Sequence, residues 1–354
     1  MVSTGTYTVG AAALAALVAS LAFSAVRLRK LTLPTWRGAP AHLVDAILAI
    51  ALLIWLAELL GLVSLLYAWT LVASSLILAG ALAWRLPTSP APPAGGAVGG
   101  TAPEEASATA GGGGSPAATG PAGQKPWSRE SSGQNPWFRG GPADHNPWSL
   151  AITVAIVALV FAHWGLTTKH ALDRGIFNFD SLWYHMPFAA DIAQSHSVTG
   201  LHYTETVTTN WFYPQSSELL HAVGILLTQR DTLSLFLNFG WLAIAFLAAW
   251  CIGRPYGRGH LSVAAVALVL ECHTLVVREP GAAKDDLMAA GLLLAAIAIL
   301  VNAHASTASL RSAMPHPGIG RKGNSGTSGG PRGLPVGWPL AMAGLATGLA
   351  AGTK

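Results

Sequence analysis

Eight runs of about 20 apolar residues constrain this chain most, because an apolar α-helix of that length can cross the hydrocarbon core of a bilayer. The runs cover residues 7–26, 43–61, 62–84, 149–166, 232–252, 261–277, 286–302 and 338–352. Charged residues make up 10% of the chain, against roughly 25% in soluble globular proteins. The sequence therefore predicts an all-α integral membrane protein with about eight transmembrane helices.

The sequence does not indicate removal of a signal peptide, chemistry at its two cysteines or binding of nucleic acid. The first run has neither a basic residue before it nor a small-residue cleavage site after it, so we expect it to remain in the mature protein. Cys251 and Cys272 lie in or at the ends of apolar runs, where cysteines act as small hydrophobic residues. The net charge of +4 is scattered over loops, which argues against nucleic acid as a partner.

Two polar segments divide the chain. Residues 86–147 are rich in Pro, Gly, Ala and Ser and predict a disordered cytoplasmic linker between a three-helix membrane segment, 1–85, and a membrane core, 148–354. Pro-Trp repeats in the linker, with tryptophans at 127, 137 and 148, favour interfacial anchoring of the next helix, with a docking motif as the alternative. The segment 303–337 is basic, contains no acidic residue and is predicted to be a cytoplasmic loop.

Basic residues in short loops predict which ends of the helices face the cytoplasm. The sequence RLRK at 27–30, Arg85 and the basic loop are accordingly assigned to the cytoplasm. This assignment places the loop at 167–215 outside the membrane.

A short apolar segment, 216–229, decides the rest of the topology. If it crosses the bilayer, the basic turn with Arg254 and Arg258 and the basic loop both fall outside, against the positive-inside rule. If it is re-entrant or interfacial, as apolar runs of about 10–14 residues often are, both fall inside. We favour the second arrangement, in which the acidic groups near Asp180 and Asp285 share the external face.

The predicted external loop contains the stretch NFDSLWYHMPFAADIAQ, residues 178–194. If 181–195 is helical, Asp180 and Tyr184 lie four residues apart on one face, beside Ser181 and His185. The structural alternative is that Asp180 only caps this helix, and Pro187 indicates that the helix instead begins near it.

A second polar group, Lys284, Asp285 and Asp286, precedes the apolar run at 286–302. Acidic residues there can simply cap a helix, but a lysine is unfavourable beside a helix N-terminus and indicates pairing with carboxylates or an anionic ligand. Glu218 and His221 in the short segment require either a polar cavity or an interfacial position. Glu58 is assigned to the turn between the second and third runs, without a functional role.

The order of five motifs resembles the membrane-embedded GT-C glycosyltransferases, in the branch of protein mannosyltransferases and aminoarabinose transferases. The motifs are FDSLWYHMPFAADIAQ, YPQSSELLHAVGILL, NFGWLAIAFLAAWCIGRPYG, GAAKDDLMAAGLLLA and GLATGLAAGTK. The resemblance covers about 149–354, and the family continues through further helices beyond the last motif. The resemblance therefore implies an incomplete GT-C-like core.

The resemblance implies inverting transfer of a sugar from a polyprenyl-phosphate donor to a glycan, lipid or protein acceptor on the external face of the plasma membrane. Asp180 matches the catalytic base of the family, and Asp285 or Asp286 matches its second acidic position. Lys284, His185 and Lys354 are candidates for holding the departing phosphate, with Glu218 as a further substrate-binding candidate. Trp183 and Tyr184 can stack on a sugar or anchor the loop at the membrane surface.

A different class fits the same residues: a non-catalytic multi-pass protein, such as a lipid-carrier transporter or an assembly scaffold, whose carboxylates only cap helices. The sequence contains no phosphate-binding glycine loop and no metalloprotease or hydrolase motif. No metal site or cofactor is indicated, although the expected chemistry is compatible with a divalent metal. Membrane lipid is the remaining expected partner.

Overall fold

The computed structural model describes residues 4–85, 147–204, 210–313 and 337–353. These residues form helices joined by turns, with no β-strand among them. The α-helices are α1 Thr4–Thr32, α2 Ala39–Leu62, α3 Ala68–Arg85, α4 Pro147–Arg174, α5 Met186–Ser195, α6 Ser216–Thr228, α7 Leu237–Gly253, α8 Gly259–Leu270, α9 His273–Arg278, α10 Asp286–Ala313 and α11 Gly337–Ala351. A π-helical turn covers Ser181–His185, and 3₁₀ turns cover Leu201–Tyr203, Asn210–Phe212, Asp231–Phe236 and Arg254–Tyr256.

Six helical segments in the described residues are long and apolar enough to cross a membrane. They are Gly5–Thr32, Ala39–Leu62, Ala68–Arg85, Pro147–Arg174, Asp231–Tyr256 and Asp286–Ala308. The prediction of an all-helical chain with apolar spans is confirmed for these residues. The 86–146 part of the predicted linker and the 314–336 part of the basic loop lie outside the described residues. Residues 303–313 belong to α10, so the prediction of a loop from 303 is wrong for them.

The expected count of about eight is not reached, for two local reasons. The run 261–277 is interrupted, because α8 ends at Leu270 and α9 begins only at His273. At this break, the Glu271 carboxylate is hydrogen-bonded to His163 of α4, so the polar residue is bound within the protein. In addition, α11 has 15 residues and a length of about 22 Å, shorter than a hydrocarbon core of about 30 Å.

The third apolar run begins later than predicted. A turn at 63–67, in which Ser64 has a positive φ of 55°, separates α2 from α3. Glu58 therefore lies within the last turns of α2 rather than in the connecting turn, and its assignment to that turn is wrong.

The short helix α6 is packed inside the protein. It has 13 residues, about 20 Å, which is too short to cross a bilayer, and all of its residues except Ile225 are buried. A helix lying on the membrane surface would leave one face to lipid, whereas α6 is covered by other helices of the protein. Its placement as a re-entrant or interfacial segment stays a prediction. Neighbouring residues from α1, α2 and α5 join α6 in one hydrophobic core that also includes α7 and α10.

Helices α1 and α6 approach so closely at Gly10 that a side chain there has no room. A Cβ atom at Gly10 would lie 2.1 Å from the backbone oxygen of Leu227. Because backbone cannot move aside as a flexible side chain can, the substitution must separate the two helices.

Replacing Gly10 with alanine is expected to lower the free energy of unfolding by about 1–3 kcal/mol, the usual cost of overpacking. The measurement is the midpoint of thermal unfolding of the detergent-purified protein. Gly80 in α3 is a matched control, because a Cβ there meets nothing within 4 Å. Gly80→Ala should be neutral or stabilise by up to about 1 kcal/mol, since alanine is the better helix former. An unchanged midpoint for Gly10→Ala would contradict the close contact.

Candidate functional site

The helix that carries Asp180 is capped by a different residue. The Asn178 Oδ1 atom accepts hydrogen bonds from the backbone N–H groups of Asp180, at 3.1 Å, and Ser181, at 3.4 Å. The Asp180 side chain makes no capping hydrogen bond. The alternative in which Asp180 only caps this helix is therefore wrong, and its carboxylate is available for other contacts.

A π-helical turn follows Asp180 and sets the direction of the side chains. In this turn the Met186 N–H donates to the Ser181 carbonyl, five residues back, and α5 continues with Pro187 in its first turn. Ser181 and His185 point into the protein, whereas Trp183 is 40% exposed and packs against the Phe179 ring. Such π-turns are frequent at functional sites, because they change which residues share a helix face.

The loop between α9 and α10 is held against this turn. The Ser181 hydroxyl donates to the Ala283 carbonyl at 3.1 Å and accepts from the Ala283 N–H at 3.0 Å. The Asn238 side-chain amide of α7 donates to the carbonyls of Glu279 and Ala282, at 2.6 and 3.2 Å. Two polar side chains thus fix the backbone of a loop that the sequence alone leaves free.

Gly281 allows the same loop to lie directly on α4. Its φ of +69° is in the left-handed region, and a Cβ would lie 2.7 Å from the Ala171 Cβ and 3.1 Å from the Thr168 Cα. Only glycine satisfies both the backbone angle and the close approach. The loop therefore delivers Lys284 to a fixed position next to Asp180.

Lys284 is the centre of an acidic cluster, which we define as Asp180, Glu279, Asp286 and Lys284 itself. The Lys284 Nζ atom lies 3.4 Å from Asp180 Oδ2, 3.5 Å from Glu279 Oε1 and 3.4 Å from Asp286 Oδ2. The side chains of Lys284 and Glu279 are 10% and 3% exposed, whereas those of Asp180 and Asp286 are 43% and 38% exposed. Carboxylates are thus the partners of Lys284, the first of the two alternatives expected for it.

The electrostatics of the cluster follow from burial and from the excess of carboxylates. Burial raises the pKa of Glu279 to about 7, although the nearby Lys284 ammonium acts in the opposite direction. Burial also works to lower the pKa of Lys284, but the carboxylates of Glu279, Asp286 and Asp180 outweigh it and hold that pKa above its usual value. Lys284 is therefore a permanent cation, and Glu279 changes its charge near neutral pH.

Tyr184 lies beside this cluster and remains protonated. Burial and then the negative charges of Asp285, Asp180, Glu218 and Asp286 raise the pKa of its phenol above the ordinary value. The hydroxyl is consequently a hydrogen-bond donor at any physiological pH. Asp285 is itself buried, and it is one of the charges that act on this phenol.

A second polar pair lies behind Tyr184, entirely inside the protein. His185 Nδ1 is hydrogen-bonded to Glu218 Oε1 of α6, and their side chains are 1% and 3% exposed. His221, one helical turn further along α6, is also buried. The Glu218 Oε2 and His221 Nδ1 atoms have no hydrogen-bond partner in the part of the chain that the structure describes.

The structure thus brings most of the sequence candidates into one region. Asp180, Lys284 and Asp286 are in contact, Tyr184 is electrostatically coupled to them and to Asp285, and His185 is bound to Glu218. Trp183 faces outward, and Lys354 lies outside the described residues. The described residues contain no group of three or more His, Cys, Asp or Glu side chains that could hold a metal ion.

Sequence reasoning missed Glu279, Asn178 and the pairing of His185 with Glu218. Asn178 carried a usable signal, since asparagine is as good an N-cap as aspartate and precedes the helix. Glu279 also stands in the same predicted external turn as Lys284. The pair has no such signal, because its members are separated by 33 residues and meet only through tertiary packing.

The fold and the site define a multi-helix membrane protein with an acidic, lysine-centred cluster, which is held by a π-helical turn and a hydrogen-bonded loop. No protein-family model, no curated protein and no solved structure matches the chain.

Proposed function

We propose that the chain is a membrane glycosyltransferase that transfers a sugar from a polyprenyl-phosphate donor to an acceptor hydroxyl on the external face, with inversion. The observation that carries the proposal is the position of Asp180. Its carboxylate is 43% exposed, makes no capping hydrogen bond and lies 3.4 Å from a lysine that is fixed by two further carboxylates. A substrate hydroxyl can reach such a group from solvent.

In the proposed reaction the acceptor oxygen attacks the anomeric carbon of the sugar as the bond to the lipid phosphate breaks. Asp180 accepts the proton of the attacking hydroxyl and releases it to solvent afterwards, and the lipid phosphate departs as an anion. Lys284 orients Asp180 and offers positive charge near the departing phosphate. Asp286, at the edge of the cluster, and the Tyr184 hydroxyl are the further polar groups that a bound sugar would meet.

The buried groups have indirect roles in the proposed reaction. His185 is committed to Glu218, so its role is to hold the π-helical turn that presents Asp180 and Tyr184. Glu279 and Asp285 are buried and set the electrostatics of Lys284 and Tyr184 rather than contacting substrate. Lys354 remains a candidate for the phosphate.

A non-catalytic multi-pass protein is the second candidate, and one observation favours it. Lys284 joins carboxylates from three separate positions, Asp180, Glu279 and Asp286, which also makes it a structural brace. In that case the cluster would hold the loop in place, and the protein would act as a lipid-carrier transporter or as a scaffold.

Replacing Asp180 with asparagine separates the two candidates. The amide is nearly isosteric but cannot accept the proton, so we expect sugar transfer to fall by about 10²–10⁴-fold, the usual contribution of a general base. The assay follows release of polyprenyl phosphate from a panel of polyprenyl-phosphate hexoses and pentoses by the full chain in proteoliposomes, with a membrane extract added as the source of acceptors. This readout does not require the glycosylated acceptor to be identified.

Asp173→Asn is the matched control, because Asp173 is an exposed carboxylate paired with Lys169 at 2.5 Å at the end of α4. We expect the control to transfer sugar like the wild type. Transfer that is unchanged in Asp180→Asn would disprove the base assignment. Absence of transfer by the wild type with every donor in the panel would favour the transporter or scaffold.

The proposal also requires that the acidic cluster lies outside the cell. Single cysteines at Leu182 and Val277, both more than half exposed and on either side of the cluster in sequence, should react with a membrane-impermeant thiol reagent in intact cells. A cysteine at exposed Arg37 in the α1–α2 turn should react only after permeabilisation. The background is a Cys272→Ser variant, since Cys272 is exposed and Cys251 is buried. Labelling of Arg37→Cys but not of the other two would reverse the orientation.

A further inference from the structure

A cavity of about 430 Å³ lies at the turn between α1 and α2, and basic side chains dominate its lining. Arg29, Lys30, Arg37 and His42 all contribute to its wall, together with Trp36. None of the residues that line it is acidic. The cavity belongs to helices that take no part in the acidic cluster.

Arg29 is a buried residue in the wall of this cavity. Its side chain is 11% exposed, its Nε atom donates to Asp45 Oδ1 at 2.6 Å, and its Nη1 atom donates to the Trp36 carbonyl at 3.3 Å. These two contacts fix the plane of the guanidinium. The Nη2 group makes no hydrogen bond within the described residues, so two N–H donors remain for a ligand.

The rim of the cavity carries uncompensated positive charge. Lys30 and Arg37 are exposed and form no ion pair with any described residue. Of the three permanent cations Arg29, Lys30 and Arg37, Asp45 therefore balances only Arg29. The N-terminus of α2 adds to the effect, because its first turn has no acidic residue and Gly38 supplies no side-chain cap.

We propose that this cavity binds a phosphate group, either the headgroup phosphate of an anionic lipid or a soluble phosphate ester. A planar, oriented guanidinium with two free donors matches phosphate oxygens, and the flanking cations add charge. The cavity lies where two apolar helices end, which is the level of lipid headgroups. Positive charge that only orients the chain in the membrane needs neither a cavity nor a buried guanidinium fixed by two contacts.

The test compares wild type with the double variant Lys30→Gln/Arg37→Gln, which keeps the buried Arg29–Asp45 pair intact. Phosphatidic acid or phosphatidylcholine is titrated into detergent micelles of the full chain, and inorganic phosphate is titrated separately against chloride at equal ionic strength. The thermal unfolding midpoint gives an apparent affinity for each ligand. Arg254→Gln/Arg258→Gln is the matched control, because it removes two exposed arginines from another turn.

We expect phosphatidic acid to raise the wild-type midpoint, with an apparent affinity about tenfold or more weaker in Lys30→Gln/Arg37→Gln and unchanged in the control. A response to inorganic phosphate with the same variant dependence identifies a soluble phosphate as a ligand, whereas a response to the lipid alone identifies the headgroup. No shift with either ligand overturns the proposal. Equal weakening in both double variants also overturns it, because the effect would then be general surface charge.

Discussion

Replacing Lys284 with methionine is expected to lower the free energy of unfolding by about 3–5 kcal/mol, the usual cost of removing one partner of a buried ion pair. The substitution keeps most of the side-chain volume and removes the cation that Asp180, Glu279 and Asp286 share. The exposed members can be hydrated. Glu279 cannot, because its side chain is 3% exposed.

The expected loss of stability in Lys284→Met depends on pH, because Glu279 changes its charge near neutral pH. Its folded-state pKa of about 7 is already above the ordinary glutamate value of 4.5, and removal of Lys284 raises this pKa further. A carboxyl with a raised folded-state pKa contributes stability below its unfolded pKa and loses it as the pH rises through the folded pKa. The deficit of Lys284→Met should therefore be smaller at about pH 6 than at about pH 8.

Two further variants identify the cause of the loss. Lys284→Met/Glu279→Gln should recover more than half of the stability, since no buried charge is then left without a partner. Lys169→Met is the matched control, because its pair with Asp173 is exposed, and such pairs contribute about 0–1 kcal/mol. Thermal and denaturant unfolding in detergent measure all four proteins. If the double variant is no more stable than Lys284→Met, Glu279 is not the group that Lys284 stabilises.

The sequence was sufficient for the class of fold and for part of the site. Long apolar runs predict spans reliably, because hydrocarbon excludes unpaired backbone and selects helices. The described residues contain six such helices rather than about eight, in part because the apolar run at 261–277 contains a break. Hydropathy averaged over a window does not register the contact of Glu271 with His163 at this break. The distribution of basic residues predicted that Asp180 and Lys284 share one face of the membrane. In the structure their side chains lie 3.4 Å apart.

Contacts that depend on packing could not be predicted. The reciprocal bonds between Ser181 and Ala283 join positions 102 residues apart, and they exist because Gly281 lets the loop approach α4. The π-helical turn likewise changes the simple four-residue spacing on which the face of Tyr184 was predicted. Neither feature leaves a periodic pattern in the sequence.

Removal of the other buried pair, His185 and Glu218, tests whether these groups serve stability or chemistry. Glu218→Leu should cost about 3 kcal/mol, at the lower end of the range for broken buried pairs, because it leaves the buried His185 Nδ1 without its hydrogen-bond partner. Glu218→Gln, which still offers an oxygen to His185 Nδ1, should cost about 1 kcal/mol. Thermal unfolding in detergent measures both.

The double variant His185→Phe/Glu218→Leu gives the sharper result. Replacing a buried pair by apolar residues of similar volume is often neutral or stabilising, so this variant should unfold near the wild-type temperature. If the pair positions the turn for sugar transfer, the folded double variant should still transfer sugar more slowly, because an apolar contact does not fix the π-helical turn as a hydrogen bond does. Wild-type transfer by this stable variant would show that the pair is dispensable, whereas a large loss of stability would show that it is structural. A double variant that unfolds like the wild type but transfers sugar more slowly would show that the buried pair serves to position Asp180.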